Sequence, residues 1–316
     1  MMNMIKKIKP LMAVLLCLGI IAGCSDASTN TDVEQETQTN TDQTTVIRLG
    51  VMSASDSAPI LLAQEKGYFE ANNVELELEI FSNGATKQSS IQAGELDAAM
   101  VSMIQFVNNV NAGLKAKITT TTDGTFPVVL SKNYTEKTDV KVGLMEVSVT
   151  NFLADQYLAD YNVEKIFINE MPVRMQMLMA DELDMAVLPE PLASNAELNG
   201  LTKKVYGNPD DFTPNAIIFT DEFIENNPNT VANFHKAYNQ AVADINENED
   251  LAKDILIEKL ELNPEIKDLI VLPTYHQTRI PTEAYLNEVK VWTEELQGST
   301  LNVPYAEVVT TEFVAE

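Results

Sequence analysis

The stretch 74–101, VELELEIFSNGATKQSSIQAGELDAAMV, decides which fold class we predict for this chain. Its first part, Val74–Phe81, alternates apolar residues with glutamates, and this period of two predicts a strand with one buried face. A helix over Ala85–Ala93 follows and ends at Gly94, since glycine accepts the left-handed conformation that closes a helix. Asp97–Val101 then predicts a second strand. A strand, a helix and a strand in this order indicate a parallel βαβ unit.

The segment before this stretch extends the unit in the same way. A strand is predicted over Val46–Met52, and a helix is predicted over Ala58–Lys66, where Gly67 ends it. The first module therefore has the order strand, helix, strand, helix, strand.

The three strands of this module recur later in the chain. The offsets between matching strands are 93, 89 and 87 residues. The matching pairs are Leu49–Met52 with Val142–Met145, Val74-Glu75 with Val163-Glu164, and Glu95–Val101 with Glu182–Leu188. Three matches in the same order at nearly constant offset predict two similar α/β lobes.

Beyond Thr220 the chain changes to long helical patterns. The helices predicted there are Pro228–Asn246, Leu251–Leu262, Pro264–Leu272 and Thr282–Leu296. The last of them carries a stripe at helical spacing that we expect to be buried, made of Tyr285, Val289, Trp292 and Leu296. We expect this region to complete the first lobe, so that residues 46–131 and 220–316 form lobe I and residues 132–219 form lobe II.

The N-terminal residues have the features of an export signal. Three lysines precede the apolar run Leu11–Ile21, which is too short to span a bilayer comfortably. The run leads into Ile21-Ala22-Gly23-Cys24, which resembles a bacterial lipobox. We therefore expect residues 1–23 to be a lipoprotein signal peptide and Cys24 to receive diacylglycerol. The alternative is an ordinary signal peptide that happens to contain a cysteine.

The residues after Cys24 predict a flexible tether to the membrane. Residues 25–45 contain five acids and no base, with almost nothing to bury, so residues 24–45 should be solvated and disordered. An acylated Cys24 would hold the protein at the outer face of the cell membrane, with the lipid bilayer as a partner.

Composition excludes several classes of function. The chain has 47 carboxylates against 21 lysines and arginines, a net charge of −26, and only three of these cations are arginines. A stripe of cations that neutralises phosphates is therefore not expected, which argues against nucleic-acid binding. The two histidines, His235 and His276, lie in unrelated segments without a metal-binding motif. We expect no metal, no cofactor and no catalytic residues.

The candidate ligand site follows from the sheet architecture. In an open parallel sheet, ligands bind beyond the carboxyl ends of the strands, and two facing lobes create a cleft there. The expected ligand-binding residues follow strand ends and are Ser53, Ser55, Asp56, Asn83, Gly84, Ser102, Met103, Asp123, Glu146, Ser148, Thr150, Glu170 and Glu190. Ser148 is also well placed to cap a helix over Val149–Tyr161, and capping alone is the alternative. Arg174 is a minor candidate, because it shares a helix with Met175 and Met177 and we expect its side chain to point outward.

Several of these segments resemble one known family. The segments are Ala63–Phe69 (AQEKGYF), Val74–Leu76 (VEL), Gly94–Ala99 (GELDAA) and Glu182–Ala186 (ELDMA) with Glu190-Pro191. They resemble the substrate-binding proteins of ABC importers, in the group that serves alkanesulfonates, taurine, nitrate and thiamine pyrimidine precursors. The resemblance implies a type II periplasmic-binding-protein fold, a ligand in the cleft, hinge closure and an ABC permease as partner. The chain departs from the family pattern at Val147 and Pro189, both in the expected ligand shell.

The charge of the expected site favours one class of solute. Five acids, Asp56, Asp123, Glu146, Glu170 and Glu190, are expected in the cleft and would repel an anion. We therefore expect a monomeric receptor for a small polar solute that is neutral or cationic, such as a thiamine-precursor-like nitrogen heterocycle. A sulfonate or another oxyanion is the alternative ligand. The alternatives from other classes are an extracellular serine hydrolase and a surface lipoprotein that binds another protein.

Overall fold

The computed structural model describes residues 45–207 and 213–314. The expected signal peptide, Cys24 and the tether up to residue 44 lie outside the described residues. None of the helices in the described ranges is long and apolar enough to cross a membrane.

The described part of the chain alternates strands and helices before a helical C-terminal region. The strands are β1 (Thr45–Met52), β2 (Val74–Phe81), β3 (Ala98–Ser102), β4 (Ala116–Thr121), β5 (Val128–Leu130), β6 (Asp139–Leu144), β7 (Asn162–Phe167), β8 (Met185–Val187), β9 (Thr202–Lys204) and β10 (Asn215–Thr220). The helices are α1 (Ala58–Glu65), α2 (Tyr68–Ala71), α3 (Gly84–Gln92), α4 (Met103–Asn111), α5 (Val149–Tyr157), α6 (Met171–Met179), α7 (Leu192–Leu198), α8 (Asp221–Asn226), α9 (Pro228–Glu247), α10 (Asp250–Lys259), α11 (Glu283–Gln297) and α12 (Tyr305–Val308). Ser55–Ser57 and Pro264–Leu269 form short 3-10 helices.

The first sheet forms the centre of lobe I. Its strand order is β2-β1-β3-β10-β4, with β1 parallel to β2 and β3, and β10 antiparallel to β3 and β4. Side chains alternate across the sheet, so Ile47, Leu49 and Val51 of β1 are fully buried together against α1 and α9. Gly50 points to the other face, towards α3. At Gly50, β1 therefore has no side chain on the face towards α3, which lets α3 pack closely there.

The second sheet repeats the first and confirms the predicted duplication. Its order is β7-β6-β8-β5-β9, where β6 is parallel to β7 and β8, and β5 is antiparallel to β8 and β9. In each sheet the antiparallel fourth strand comes from a segment that crosses from the other lobe. The fold class expected from the sequence, a two-lobed type II periplasmic-binding-protein fold, is therefore confirmed.

Strand pairing moves the lobe boundaries away from the residues expected from the sequence. Val128–Leu130 pairs in the second sheet although residues 46–131 were expected in lobe I, and Asn215–Thr220 pairs in the first sheet although residues up to 219 were expected in lobe II. The first crossing runs through 122–127, between β4 and β5, and the chain returns to lobe I between β9 and β10. Both strands are short and almost wholly buried, and a continuous apolar run carries no signal for the sheet in which it pairs.

The C-terminal helices touch both lobes. In α11 the buried positions are Leu286, Val289 and Thr293, so the predicted stripe is rotated by part of a turn. Trp292 is half-buried, packs edge-on against Phe152 of α5 at 5.4 Å between ring centroids, and donates a hydrogen bond to Asp155 at 3.0 Å. This region therefore does more than complete lobe I, because α11 also contacts lobe II.

Candidate functional site

A cavity of about 80 Å³ lies between the two lobes at the carboxyl ends of the parallel strands. This volume is several times what one buried water needs, so the cavity suits a small molecule. Lobe I and the first crossing contribute Met52, Ala54, Asp56, Ser82, Gly84, Lys87, Met100, Val101, Ser102, Gln105, Phe126 and Asn215, and lobe II contributes Met145, Ser148, Val149, Thr150, Asn169, Met171, Arg174 and Pro189.

The structure brings together five of the residues predicted for the site, namely Asp56, Gly84, Ser102, Ser148 and Thr150. Their placement follows from the helix starts. Ser102 caps α4 by accepting a hydrogen bond from the Gln105 amide, and Ser148 caps α5 by accepting from the Asn151 amide. Each cap puts a small polar residue where a strand ends and a helix begins, at the edge of the sheet that faces the cleft.

The hydroxyl groups at the start of α5 are occupied within their own loop. Ser148 Oγ donates to the Met145 carbonyl at 2.6 Å and lies 2.8 Å from Thr150 Oγ1, which accepts from the Met145 amide. The Ser148 hydroxyl therefore has its partners within its own loop and helix start. Polar atoms without a partner must be sought on other residues of the lining.

Three predicted residues lie behind the cavity, where the lobes join. The Ser55 amide donates to the Glu190 carbonyl at 2.7 Å, and Ser55 Oγ accepts from the Thr125 amide. Asp123 accepts hydrogen bonds from Arg279 and from the His276 amide. The Glu190 carboxylate is fully buried and pairs with Lys203 at 2.7 Å. These contacts hold the backbone of the crossings and keep the three residues out of the cavity lining.

The other five predicted residues outside the cavity lie at its rim or in the core. Asn83 and Glu170, the N-caps of α3 and α6, hydrogen-bond to each other across the cleft, and we call this contact the clasp. Met103 is fully buried in the core, and Ser53 bonds to the Phe81 carbonyl. Glu146 is exposed.

Two buried cations, Lys87 and Arg174, line the cavity. The sequence did not lead us to predict Lys87 in the site, and it led us to predict Arg174 only as a minor candidate. Each side chain is 98% buried, one in α3 of lobe I and the other in α6 of lobe II. Arg174 was expected to point outward, and this expectation is wrong, because its side chain lies under the helix against the second sheet. It donates a hydrogen bond to the Val187 carbonyl at 3.0 Å.

The two cations occupy equivalent positions in the duplicated lobes. Each is the fourth residue of a nine-residue helix, and the two are 87 residues apart, the same offset that relates β3 to β8. The stem of each cation crosses a glycine in the first strand of its lobe, Gly50 in β1 and Gly143 in β6. A Cβ atom at Gly50 would lie 3.2 Å from Lys87 Cγ, and one at Gly143 would lie 3.4 Å from Arg174 Cγ. Extending the strand repeat into the helices would have found this pair.

The charges in the cavity differ from those that the sequence predicted. Burial lowers the pKa of Lys87 to about 8, against the attraction of Asp56, and burial raises the pKa of Asp56 to about 6, against the attraction of Lys87. Burial also lowers the pKa of Arg174, to about 10. At neutral pH the lining therefore carries two cations and one carboxylate. The expectation of a cleft rich in acids is wrong, because four of the five acids lie outside the lining.

Two buried polar atoms on residues that line this cavity have no hydrogen-bond partner among the described residues. They are Asp56 Oδ1, an acceptor, and Arg174 Nε, a donor. The other oxygen of Asp56 accepts from Asn215 at 2.9 Å and from Thr122 at 3.3 Å, so the carboxylate is held in place. Buried polar groups are rarely left without partners, and such a pair in one cavity indicates a ligand that supplies them.

The described residues do not assemble a catalytic serine site in this cavity. Neither histidine lines it. His235 is buried among the rings of Phe219, Phe234 and Phe313, and His276 lies beside Asp123. No cluster of metal-ligating side chains occurs within the described ranges.

Two α/β lobes with a small cavity between them define the type II periplasmic-binding-protein class. The model of the family described as NMT1/THI5 like matches residues 54–252. The chain belongs to this family. A search among curated proteins found no match.

Solved structures with this fold include proteins of several ligand specificities. The ligand-binding component of an ABC-type import system from Staphylococcus aureus, solved with zinc bound, is 14% identical, with a TM-score of 0.71 over 85% of this chain and 97% of that one. The alkanesulfonate-binding protein SsuA from Xanthomonas axonopodis pv. citri, bound to MOPS, is 13% identical, with a TM-score of 0.69 over 84% and 98%. The nitrate-binding protein NrtA from Synechocystis PCC 6803 is 13% identical, with a TM-score of 0.64 over 85% and 92%. At these identities the similarity concerns the fold.

Proposed function

We propose that this protein is the extracytoplasmic solute-binding component of an ABC importer. It captures a small solute in the cavity between its lobes and presents it to the permease, without chemical conversion. The observation that carries the proposal is the pair of unpartnered buried atoms, Asp56 Oδ1 and Arg174 Nε, one from each lobe and both on residues that line the same cavity. The similar structures support it, because they include the ligand-binding component of an ABC-type import system, an alkanesulfonate-binding protein and a periplasmic nitrate-binding protein.

The contacts across the cleft support capture by hinge closure. The clasp joins Asn83 and Glu170 at the rim, and both residues are accessible to solvent. Polar contacts between exposed side chains contribute little to stability, on the order of 1 kcal/mol or less. Such a contact favours the closed arrangement without preventing opening, as a receptor that must release its solute requires.

Removing bound small molecules is expected to open the lobes. The protein is unfolded in guanidinium, dialysed and refolded, and its radius of gyration is measured by X-ray scattering before and after addition of a bacterial small-molecule extract. We expect the extract to reduce the radius of gyration and to raise the melting temperature, because a ligand that binds only the closed form stabilises it. If neither quantity changes, the receptor function is wrong, and binding to another protein becomes the better explanation.

We also propose that Cys24 anchors the protein to the outer face of the membrane. The support is the order of basic residues, apolar run and Ile21–Cys24 in the sequence. Intact-mass measurement of protein extracted from membranes is expected to show cleavage before Cys24 and added lipid on that residue, and Cys24→Ser is expected to release the protein from the membrane fraction. Cleavage at another residue, or an unmodified Cys24, would contradict the anchor.

A further inference from the structure

The duplicated cations limit the charge of the solute. Lys87 and Asp56 belong to the same lobe and attract each other, so within lobe I one positive charge is balanced by one negative charge. Arg174 comes from the other lobe. Its nearest acid is Glu170, which lies at the rim and takes part in the clasp. The buried lining therefore keeps one positive charge that no buried carboxylate among the described lining residues balances.

A buried charge without a counterion is costly, because burial removes the water that would stabilise it. A ligand with one negative charge removes this cost when the lobes close around it, whereas a cation adds to it. The unpartnered Nε of Arg174 is a donor that a carboxylate or sulfonate oxygen would accept from.

Asp56 sets a second requirement for the ligand, which is a hydrogen-bond donor. Its unpartnered Oδ1 accepts hydrogen bonds but cannot donate while the carboxylate is charged. A ligand oxygen without a hydrogen would face this atom as two acceptors in contact, which is unfavourable. The ligand therefore needs a hydroxyl, amide or aromatic amine hydrogen in addition to its negative group.

The remaining lining indicates that the ligand has an organic part. Four methionines, Met52, Met100, Met145 and Met171, and the ring of Phe126 surround the polar atoms. Methionine side chains adapt to irregular apolar shapes, and such walls give an inorganic ion little to contact.

We propose that the solute is a small organic monoanion that carries a neutral hydrogen-bond donor, with its anionic group at Arg174 and its donor at Asp56. This inference rests on the proposed receptor function and narrows it. It disfavours the neutral or cationic heterocycle expected from the sequence, and it also disfavours a simple oxyanion without a donor.

The test separates a bacterial small-molecule extract by ion exchange into cationic, neutral and anionic fractions. Each fraction is added to the stripped full-length protein, the melting temperature is recorded, and the retained compound is identified by mass spectrometry. We expect only the anionic fraction to stabilise the protein, and the retained compound to carry one negative charge and an N–H or O–H group. Stabilisation by the cationic or neutral fraction, or retention of an anion without such a hydrogen, would overturn the inference while leaving the receptor function intact. If no fraction stabilises the protein, the receptor function itself fails, and the inference fails with it.

Substitutions at the cavity test which residues contact the solute. Arg174→Gln is expected to weaken binding of the retained compound by about tenfold to a hundredfold, the usual effect of losing a hydrogen bond to a charged group. Arg174→Lys keeps the charge and should recover part of the affinity, which separates loss of charge from misfolding. Arg48→Gln is the matched control, because Arg48 lies in the middle of β1, pairs with Asp97 and does not line the cavity. Equal affinity in Arg174→Gln and Arg48→Gln would refute the assignment.

Discussion

Replacing Lys203 with methionine is expected to lower the free energy of unfolding by about 3–5 kcal/mol, because it leaves the buried Glu190 carboxylate without its counterion. Lys203 Nζ lies 2.7 Å from Glu190 and 2.8 Å from Ser194 Oγ, and its side chain is only 5% exposed. It also donates to the Leu269 carbonyl at 2.5 Å, so it links lobe II to the C-terminal region. Chemical denaturation monitored by circular dichroism measures the effect.

A matched lysine in the same lobe provides the control. Lys137 pairs with Asp184 at 2.8 Å, but its side chain is nearly half exposed, so Lys137→Met should cost about 1 kcal/mol or less. The double variant Glu190→Gln with Lys203→Met should recover part of the loss. The Ser194 and Val271 amides donate to different oxygens of Glu190, so a glutamine keeps an acceptor for one of them without a buried charge. If Lys203→Met costs no more than Lys137→Met, the buried pair does not have the structural role described here.

Acidification is expected to destabilise the protein through His235. Burial lowers the pKa of His235 to about 3, and neither ring nitrogen has a hydrogen-bond partner among the described residues. The unfolded chain binds a proton at this residue below about pH 6.5, whereas the folded chain binds it only near pH 3. Stability due to the neutral ring is therefore complete above pH 6.5 and is lost as the pH falls from 6.5 towards 3, by an amount on the order of 4 kcal/mol.

The comparison with His235→Phe isolates this effect. The variant keeps a flat ring among Phe219, Phe234 and Phe313, and it cannot titrate. We expect the difference in unfolding free energy between the variant and the wild type to grow in favour of the variant as the pH falls from 6.5. His235→Leu should show the same pH dependence, because the cause is titration and not ring shape. Asp56, whose pKa is raised to about 6 by burial, acts in the opposite direction and cancels in the comparison. A difference that does not vary with pH would contradict the prediction.

Local patterns predicted most of the elements of the fold. The strand over Val74–Phe81 matches β2 at both ends, and Gly67 and Gly94 adopt the left-handed conformation that the helix ends required. These features depend on neighbours within a few residues, on the period of apolar side chains and on the conformational freedom of glycine. They can therefore be predicted from the sequence. The repeat of strands also predicted the two lobes, because a duplicated sequence folds into duplicated units.

The site was harder to predict because most of it depends on distant pairing. Glu190 follows a strand and precedes a helix, and it met every local criterion for a ligand residue. Its carboxylate instead accepts hydrogen bonds from the Lys203 side chain and the Val271 amide, and both of these residues come later in the chain, beyond α7. Asn215 reaches the cavity only because β10 crosses back into the first sheet.

The sequence by itself determined the two-lobed α/β fold, the duplication and the edge of each sheet where the candidate site lies. Only the tertiary structure decided which charged groups line the cavity there. Lys87 and Arg174 form a pair only because each helix packs on its sheet. Their stems lie over Gly50 and Gly143, and both residues line one shared cavity. The physical reason is that periodicity specifies which face of an element is apolar, whereas the balance of buried charges depends on groups that meet only after the elements have packed.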